Sequence, residues 1–146
     1  MFEKVDHVTI VVKDMDKTLK AYEEILRMTP GNKGFIKTFG DTRLVMLTIA
    51  GARVELMQPG AGGGRDNPFV QFLEEHGEGI YSYCVYVEDF DAEIKRLKEA
   101  GVKLRESTQD FLFPGYPFRI AWVLPEEGLG VAVELVDAAA LPDFER

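Results

Sequence analysis

The chain has 146 residues, of which 46% are hydrophobic and 29% are charged, and a formal net charge of -8. This composition is typical of one soluble globular domain and not of a disordered or membrane protein. The negative charge, without any basic cluster, argues against nucleic acid and membranes as partners. With a single cysteine and no apolar signal-like segment at the start, the predicted location is cytoplasmic and the predicted partner is a small molecule.

The sequence contains two copies of one module. The run "HVTIVVKDMDKTLKAYEE" at 7–24 aligns without a gap with "SYCVYVEDFDAEIKRLKE" at 82–99, an offset of 75 residues. "ARVELMQP" and "VAVELVDA" align at an offset of 79 residues. Such internal similarity predicts two units of the same structure. The predicted boundaries are 1–60 for module one, 61–78 for a glycine-rich linker with a short helix, and 79–146 for module two.

Each module is predicted to contain one strand, one helix and then three strands. The first strands, 5–12 and 80–87, are rich in Val, Ile, Thr and Tyr. The fold class is therefore α+β with two βαβββ modules. Turn residues separate the later strands, which are predicted at 34–40, 42–50 and 52–59 in module one and at 102–107, 118–124 and 130–136 in module two.

Aspartates precede the helix in each module. Asp14 or Asp16 is the predicted N-cap in module one, and Asp89 or Asp91 in module two. The spacing of later apolar residues predicts the buried helix face, which includes Leu19, Tyr22 and Leu26 in module one and Ile94 and Leu97 in module two.

The linker between the modules is glycine-rich and ends in a short helix. Asn67 is its predicted N-cap, Pro68 its first residue and Gly77 the residue after its end. A phosphate-binding loop is rejected, because no Gly-Lys-Ser/Thr run follows the glycines. His76, at the helix end, is interpreted as a solvated residue.

Glutamates occupy corresponding positions in the last strand of each module, at Glu55 and Glu134. Because side chains alternate along a strand, each shares a face with residues two positions away. Two buried carboxylates that face one cavity repel unless a cation lies between them. The alternative is that Glu55 pairs with Arg53 or Arg43 at an exposed sheet edge. The duplication in register favours a functional role.

His7 lies in the first strand of the module that Glu55 closes. Imidazole together with carboxylates is a common ligand set for Zn, Co, Ni, Mn and Fe. His7, Glu55 and Glu134 are therefore the predicted ligands of a divalent metal ion. Cys84 is interpreted as a small buried residue.

The chain resembles the vicinal oxygen chelate superfamily, which includes glyoxalase I, methylmalonyl-CoA epimerase, extradiol dioxygenases and the bleomycin and fosfomycin resistance proteins. The runs most similar to the epimerase branch are "DHVTIVVKDMDKTLKAYEEIL", "NPFVQFLEEHGEGI", "VEDFDAEIKRLKEAGVKL" and "GVAVELV". The resemblance implies that the modules form a curved, cup-like mixed sheet and that the protein is a homodimer. It also implies metal ligands on the first and last strand of each module, and His7, Glu55 and Glu134 match three of these four positions.

Two positions depart from the epimerase pattern. Ser82 stands where the epimerases have a histidine ligand, and a hydroxyl is a much weaker ligand for a transition metal. Cys84 is two residues further along the strand, roughly 6.6 Å away, and is predicted to be too far to replace it. Leu44 falls at or beside the position of the epimerases' catalytic glutamate. In related proton-transfer enzymes the matching glutamate is both a metal ligand and the base, so the resemblance implies this double role for Glu134.

Three functions are compatible with these residues. The favoured one is a metal-dependent epimerase, isomerase or lyase that acts on a small carbonyl or acyl-thioester substrate through an enolate-like intermediate. An iron-dependent dioxygenase is least favoured, because His76 is misplaced for a second histidine ligand. The alternative to the favoured enzyme is a metal-free protein that binds a small molecule. It is favoured by Ser82, Leu44 and the aromatic residues Phe111, Phe113, Tyr116, Phe118 and Trp122.

Arg119, on the strand after the aromatic residues, is predicted to anchor a loop or to meet an acid across the sheet.

Overall fold

The computed structural model describes residues 2–30, 35–39, 41–49, 51–60, 67–109, 115 and 117–141. The chain divides into two compact units. We call His7–Tyr81 the first unit, and Met1–Asp6 together with Ser82–Arg146 the second unit. The strands and helices are β1 Phe2–Val11, α1 Met15–Ala21, β2 Phe35–Phe39, β3 Thr42–Ile49, β4 Ala52–Gln58, α2 Pro68–His76, β5 Gly79–Val87, α3 Phe90–Glu99, β6 Leu104–Gln109, β7 Phe118–Val123 and β8 Ala132–Asp137.

The first module has the element order β1-α1-β2-β3-β4. Its strands lie in the spatial order β2-β3-β4-β1. β4 pairs with β1 in parallel, whereas β2 with β3 and β3 with β4 are antiparallel. This βαβββ arrangement brings the first strand of the module beside its last strand, because the helix crosses over between parallel neighbours.

The second module repeats this arrangement as β5-α3-β6-β7-β8. β5 pairs with β8 in parallel, and the β6-β7 and β7-β8 pairs are antiparallel. The prediction of an α+β fold with two βαβββ modules is therefore confirmed. In the described part of the chain, no helix has the length and apolar composition needed to cross a membrane.

The N-caps of α1 and α3 settle the choice between neighbouring aspartates. The side chain of Asp14 accepts a hydrogen bond from the Lys17 amide, and that of Asp89 accepts one from the Ala92 amide. Each side chain satisfies one of the amide groups that lack a partner in the first turn of a helix. Asp16 and Asp91, two residues later, are left to form other contacts.

The helix of each module covers one face of its strands. In the first module, α1 packs on Val45, Leu47 and Leu56, and Leu19 and Tyr22 join this core as predicted. Leu26 was wrongly predicted to lie on the same face, since it is 51% exposed. The chain from Tyr22 to Leu26 forms a π-helical turn. Such a turn holds an extra residue, which rotates the last side chain away from the sheet.

The helix of the linker has the predicted ends. Asn67 accepts a hydrogen bond from the Phe69 amide, Pro68 is the first residue of α2, and Gly77 follows the helix with a positive φ of 77°. The glycine-rich residues predicted to form a flexible linker, 61–66, lie outside the described residues.

Candidate active site

The first candidate group lies on the face of the first unit opposite to its helix. Glu55 is on β4, directly across from Thr9 on β1 and from Met46 on β3. Its neighbours Val54 and Leu56 contact the helix-facing core, as the alternation of strand side chains predicts. Glu55 is only 6% exposed. The sheet therefore holds a carboxylate in a largely dry position.

Two side chains of β1 meet this carboxylate. Thr9 Oγ1 donates a hydrogen bond of 3.1 Å to Glu55 Oε1. His7 Nε2 lies 3.8 Å from Glu55 Oε2, and both side chains are about nine-tenths buried. The predicted pair of His7 and Glu55 is thus together in the structure. Thr9 was not singled out in the sequence, although parallel pairing of the first and last strands puts it opposite Glu55.

An exposed ion pair does not explain Glu55. β4 lies between β3 and β1, so Glu55 is not at a sheet edge. Arg43, one of its two candidate partners, instead bonds Asp16 at 2.8 Å. That hydrogen bond lowers the pKa of Asp16. The hydrogen bond from Thr9 and the contact with His7 both reach Glu55 from β1.

The second candidate group lies on the corresponding face of the second unit. Glu134 on β8 is directly across from Cys84 on β5 and from Trp122 on β7. The Cys84 sulfur and a Glu134 carboxylate oxygen lie within 4.8 Å of each other. Cys84 is fully buried, as predicted. Cys84 was predicted to lie too far from the site, because the ligand position was placed at Ser82. In the structure Ser82 is across from Ala132, and Cys84 is the residue across from Glu134.

The two groups follow the same scheme. Thr9 and Cys84 are equivalent in the repeat, and each lies opposite the glutamate of its own module. His7 and Ser82 are likewise equivalent, two residues earlier on β1 and β5. The modules therefore share their backbone pairing and differ in the side chains that reach the carboxylate.

The ligand atoms of the first group fit a divalent metal ion. Imidazole and carboxylate bonds to zinc are about 2.0–2.2 Å long. Two such bonds to one ion can join atoms that are up to about 4 Å apart, and His7 Nε2 and Glu55 Oε2 are 3.8 Å apart. The nearly complete burial of both side chains would also limit competition from water.

Leu44 supplies no proton acceptor. It lies on β3 across from Met57, on the same face as Glu55, and is 2% exposed. Phe118 and Trp122 are buried in the second unit. The other aromatic residues proposed to line a binding pocket, Phe111, Phe113 and Tyr116, lie outside the described residues.

Arg119 meets two acids, in agreement with one of its two predicted roles. Its guanidinium donates hydrogen bonds to Asp137 at 2.8 and 3.0 Å and to Asp91 at 2.6 Å. The hydrogen bond from Arg119 lowers the pKa of Asp91.

His76 has a largely exposed side chain beside Glu75, as expected for a solvated residue.

The sequence of the chain matches a known family over most of its length. Residues 4–134 match the family model described as Glyoxalase/Bleomycin resistance protein/Dioxygenase superfamily. The chain belongs to this superfamily. The suspected membership and the similarity to its epimerase branch are both confirmed.

Curated relatives of this superfamily member are epimerases. The chain is 30% identical to ethylmalonyl-CoA/methylmalonyl-CoA epimerase of Cereibacter sphaeroides, over 92% of this chain and 98% of that protein. It is 26% identical to the mitochondrial methylmalonyl-CoA epimerase of Homo sapiens, over 92% of this chain and 74% of that protein. The prediction of an epimerase-like enzyme is therefore confirmed.

Solved structures of the superfamily agree in fold. Methylmalonyl-CoA epimerase from Mycobacterium tuberculosis superposes with a TM-score of 0.71 at 29% identity, covering 91% of this chain and 86% of that chain. A Streptomyces coelicolor methylmalonyl-CoA epimerase in complex with 2-nitronate-propionyl-CoA gives a TM-score of 0.76 at 22% identity, covering 98% and 99%. The second likeness concerns the fold alone.

Proposed function

We propose that the protein is a metal-dependent epimerase, or a related isomerase or lyase, that acts on a small carbonyl or acyl-thioester substrate through an enolate-like intermediate. Acyl-CoA thioesters are the favoured substrate class, because the relatives matched over most of their length are named for them. The observation that carries the proposal is the buried His7–Glu55 pair on the face of the first unit.

The proposed metal ligands are His7, Glu55 and Glu134, and the ion is Zn, Co, Ni, Mn or Fe. Imidazole with carboxylates suits all five. His7 and Glu55 are supported by their distance and burial. Glu134 is proposed from the sequence repeat and from its buried strand neighbours Cys84 and Trp122. When bound, the cation would act as a Lewis acid toward a substrate carbonyl oxygen.

Glu134 is also the proposed catalytic base. Its carboxylate would take the proton from the carbon beside the substrate carbonyl and later return it, which inverts the configuration if the proton arrives at the other face. Leu44 lies at or beside the strand position where the epimerase pattern has its base, and its side chain cannot carry a proton. Thr9 would hold the Glu55 carboxylate in one orientation, since its hydroxyl donates to Oε1.

Exchange of the substrate proton with deuterated solvent tests this function. We expect the protein, loaded with Co²⁺ or Zn²⁺, to incorporate deuterium beside the thioester carbonyl of methylmalonyl-CoA or a similar acyl-CoA. Glu134→Gln should abolish the exchange, whereas Glu99→Gln on α3, whose side chain is 67% exposed, should not change it. Absence of exchange by the metal-loaded protein with every acyl-CoA and hemithioacetal offered would contradict the proposal.

One observation favours a metal-free binding protein as the second candidate. The Glu55 carboxylate already accepts a hydrogen bond from Thr9, so the protein itself provides a polar contact for the buried charge. Leu44, Met46 and Met57 make the same face apolar. Elemental analysis of protein purified without chelators separates the candidates, because the enzyme should retain close to one metal ion per chain.

A further inference from the structure

We propose that Cys84, and not Ser82, is the metal ligand that β5 provides. This inference deepens the proposed function and rests on its metal ion. In the epimerase pattern β5 provides a histidine at the position of Ser82. Here the ligand would be the thiolate of Cys84, two residues later on the same strand.

The strand register favours Cys84. Cys84 lies directly across from Glu134, whereas Ser82 lies across from Ala132. Two residues along a strand correspond to about 6.6 Å. The Oγ atom of serine is one bond from Cβ and cannot cover that distance toward the carboxylate. The Cys84 sulfur is already within 4.8 Å of a Glu134 oxygen.

The first unit shows what each of the two positions can reach. At the position equivalent to Cys84, Thr9 touches the opposite glutamate directly, at 3.1 Å. At the position equivalent to Ser82, His7 reaches the same carboxylate at 3.8 Å because the imidazole is long. A short side chain therefore contacts the glutamate from the opposite position, and only a long one does so from two residues earlier.

The chemistry of a thiol also suits this location. On binding, the Cys84 thiol would lose its proton to solvent and form a metal–sulfur bond, with no change in oxidation state. Thiolate–metal bonds of about 2.3 Å and carboxylate–metal bonds of about 2.0–2.2 Å allow two ligand atoms of one ion to lie at most about 4.5 Å apart. Atoms that already lie within 4.8 Å of each other would need only a small side-chain adjustment to bind the same ion. A sulfur ligand favours zinc and cobalt over manganese.

Cobalt spectroscopy on the full chain tests the inference. With Co²⁺ bound, the wild-type protein should show a sulfur-to-cobalt charge-transfer band in the near ultraviolet. Cys84→Ser should lose this band and bind Co²⁺ at least ~100-fold more weakly, since even indirect partners of metal ligands are worth 10–100-fold in affinity. The matched control Ser82→Ala should keep both the band and the affinity.

A rescue variant separates ligation from a structural role of Cys84. Adding Ser82→His to Cys84→Ser should restore most of the Co²⁺ affinity, because a histidine there is equivalent to His7. It should not restore the charge-transfer band, because no sulfur is present. A double variant that stays as weak as Cys84→Ser would contradict the equivalence of the two units.

The outcomes distinguish this inference from the proposed function. Bound Co²⁺ in the wild-type protein without a charge-transfer band would overturn the role of Cys84 alone, and this result needs no variant that folds. A clear band in a protein that catalyses no proton exchange would support Cys84 and overturn the proposed function. A protein that binds no Co²⁺ at all would overturn both.

Discussion

A buried carboxylate needs partners of its own, and Glu55 has them on β1. Transfer of an ionised carboxylate from water into a protein interior is costly unless hydrogen bonds or opposite charge compensate. Thr9 donates one such hydrogen bond, and His7 lies beside the same carboxylate, both from positions that the parallel β1–β4 pairing places next to Glu55. The equivalent parallel pairing of β5 with β8 gives Glu134 the neighbour Cys84. The identity of single residues at equivalent positions thus distinguishes the chemistry of the two modules.

Replacing Thr9 tests how much the hydroxyl contributes. Thr9→Val should lower the free energy of unfolding by about 1–3 kcal/mol, because it leaves a buried acceptor without this donor. Urea denaturation of metal-free protein measures the loss. Thr9→Ser keeps the hydroxyl and should lose clearly less. If both variants had the same midpoint, the hydrogen bond to Glu55 would not contribute to stability.

At the scale of the elements, each helix is tied to its sheet by an arginine at the same place in the repeat. Arg43 on β3 bonds Asp16 at the start of α1, and Arg119 on β7 bonds Asp91 at the start of α3. The second copy adds Asp137 on β8, whose side chain is 8% exposed. In the first module the residue equivalent to Asp137 is Gln58, which lies across from Arg43. Gln58 accepts a hydrogen bond from the Met15 amide.

Substitution of both arginines compares an exposed ion pair with a partly buried one. Arg119→Met should destabilise the protein by about 1–3 kcal/mol, because the buried carboxylate of Asp137 loses its charged donor. Arg43→Met should cost less, because the Asp16 side chain is 80% exposed and water replaces the arginine. Thermal or urea unfolding of both variants measures the difference. Equal losses in the free energy of unfolding would mean that the contact between Arg119 and Asp137 adds nothing to stability.

At the scale of the whole molecule, the homodimer implied by the family remains a prediction. The second unit has an apolar cavity of about 590 Å³. Phe2, Val5 and Leu129 line it and are each at least half exposed. Charges of both signs, from Lys4 and Glu127, lie in the same lining. Projecting apolar groups, a hollow and charges of both signs on one patch are compatible with a self-complementary two-fold interface.

A charge placed on this patch should dissociate the dimer. Leu129→Glu should shift the protein from dimer to monomer in light scattering coupled to gel filtration, because the carboxylate would be buried against apolar groups. Ile25→Glu is the matched control, since Ile25 is 76% exposed and belongs to the first unit. If only the control variant dissociated, the interface would lie elsewhere. A wild-type protein that is monomeric in solution would contradict the predicted homodimer.

The sequence by itself determined the module. The alternation in each strand and the helix caps depend on residues close in the chain. Together with the repeat, they predicted both βαβββ units, the equivalent strand positions of Glu55 and Glu134, and the cap of α2. The same reasoning gave His7 as a candidate ligand, and the family resemblance agreed with it.

Only the tertiary structure decided which side chains meet. Asp14 caps α1, while Asp16 instead meets Arg43 on β3, a contact between residues remote in sequence. The exposure of Leu26 depends on a π-helical turn that the apolar spacing does not reveal. The position of Cys84, and not Ser82, across from Glu134 depends on the register of β5 against β8. Register joins strands that are remote in sequence, and a shift of two residues keeps the same pattern of faces, so local patterns cannot select it.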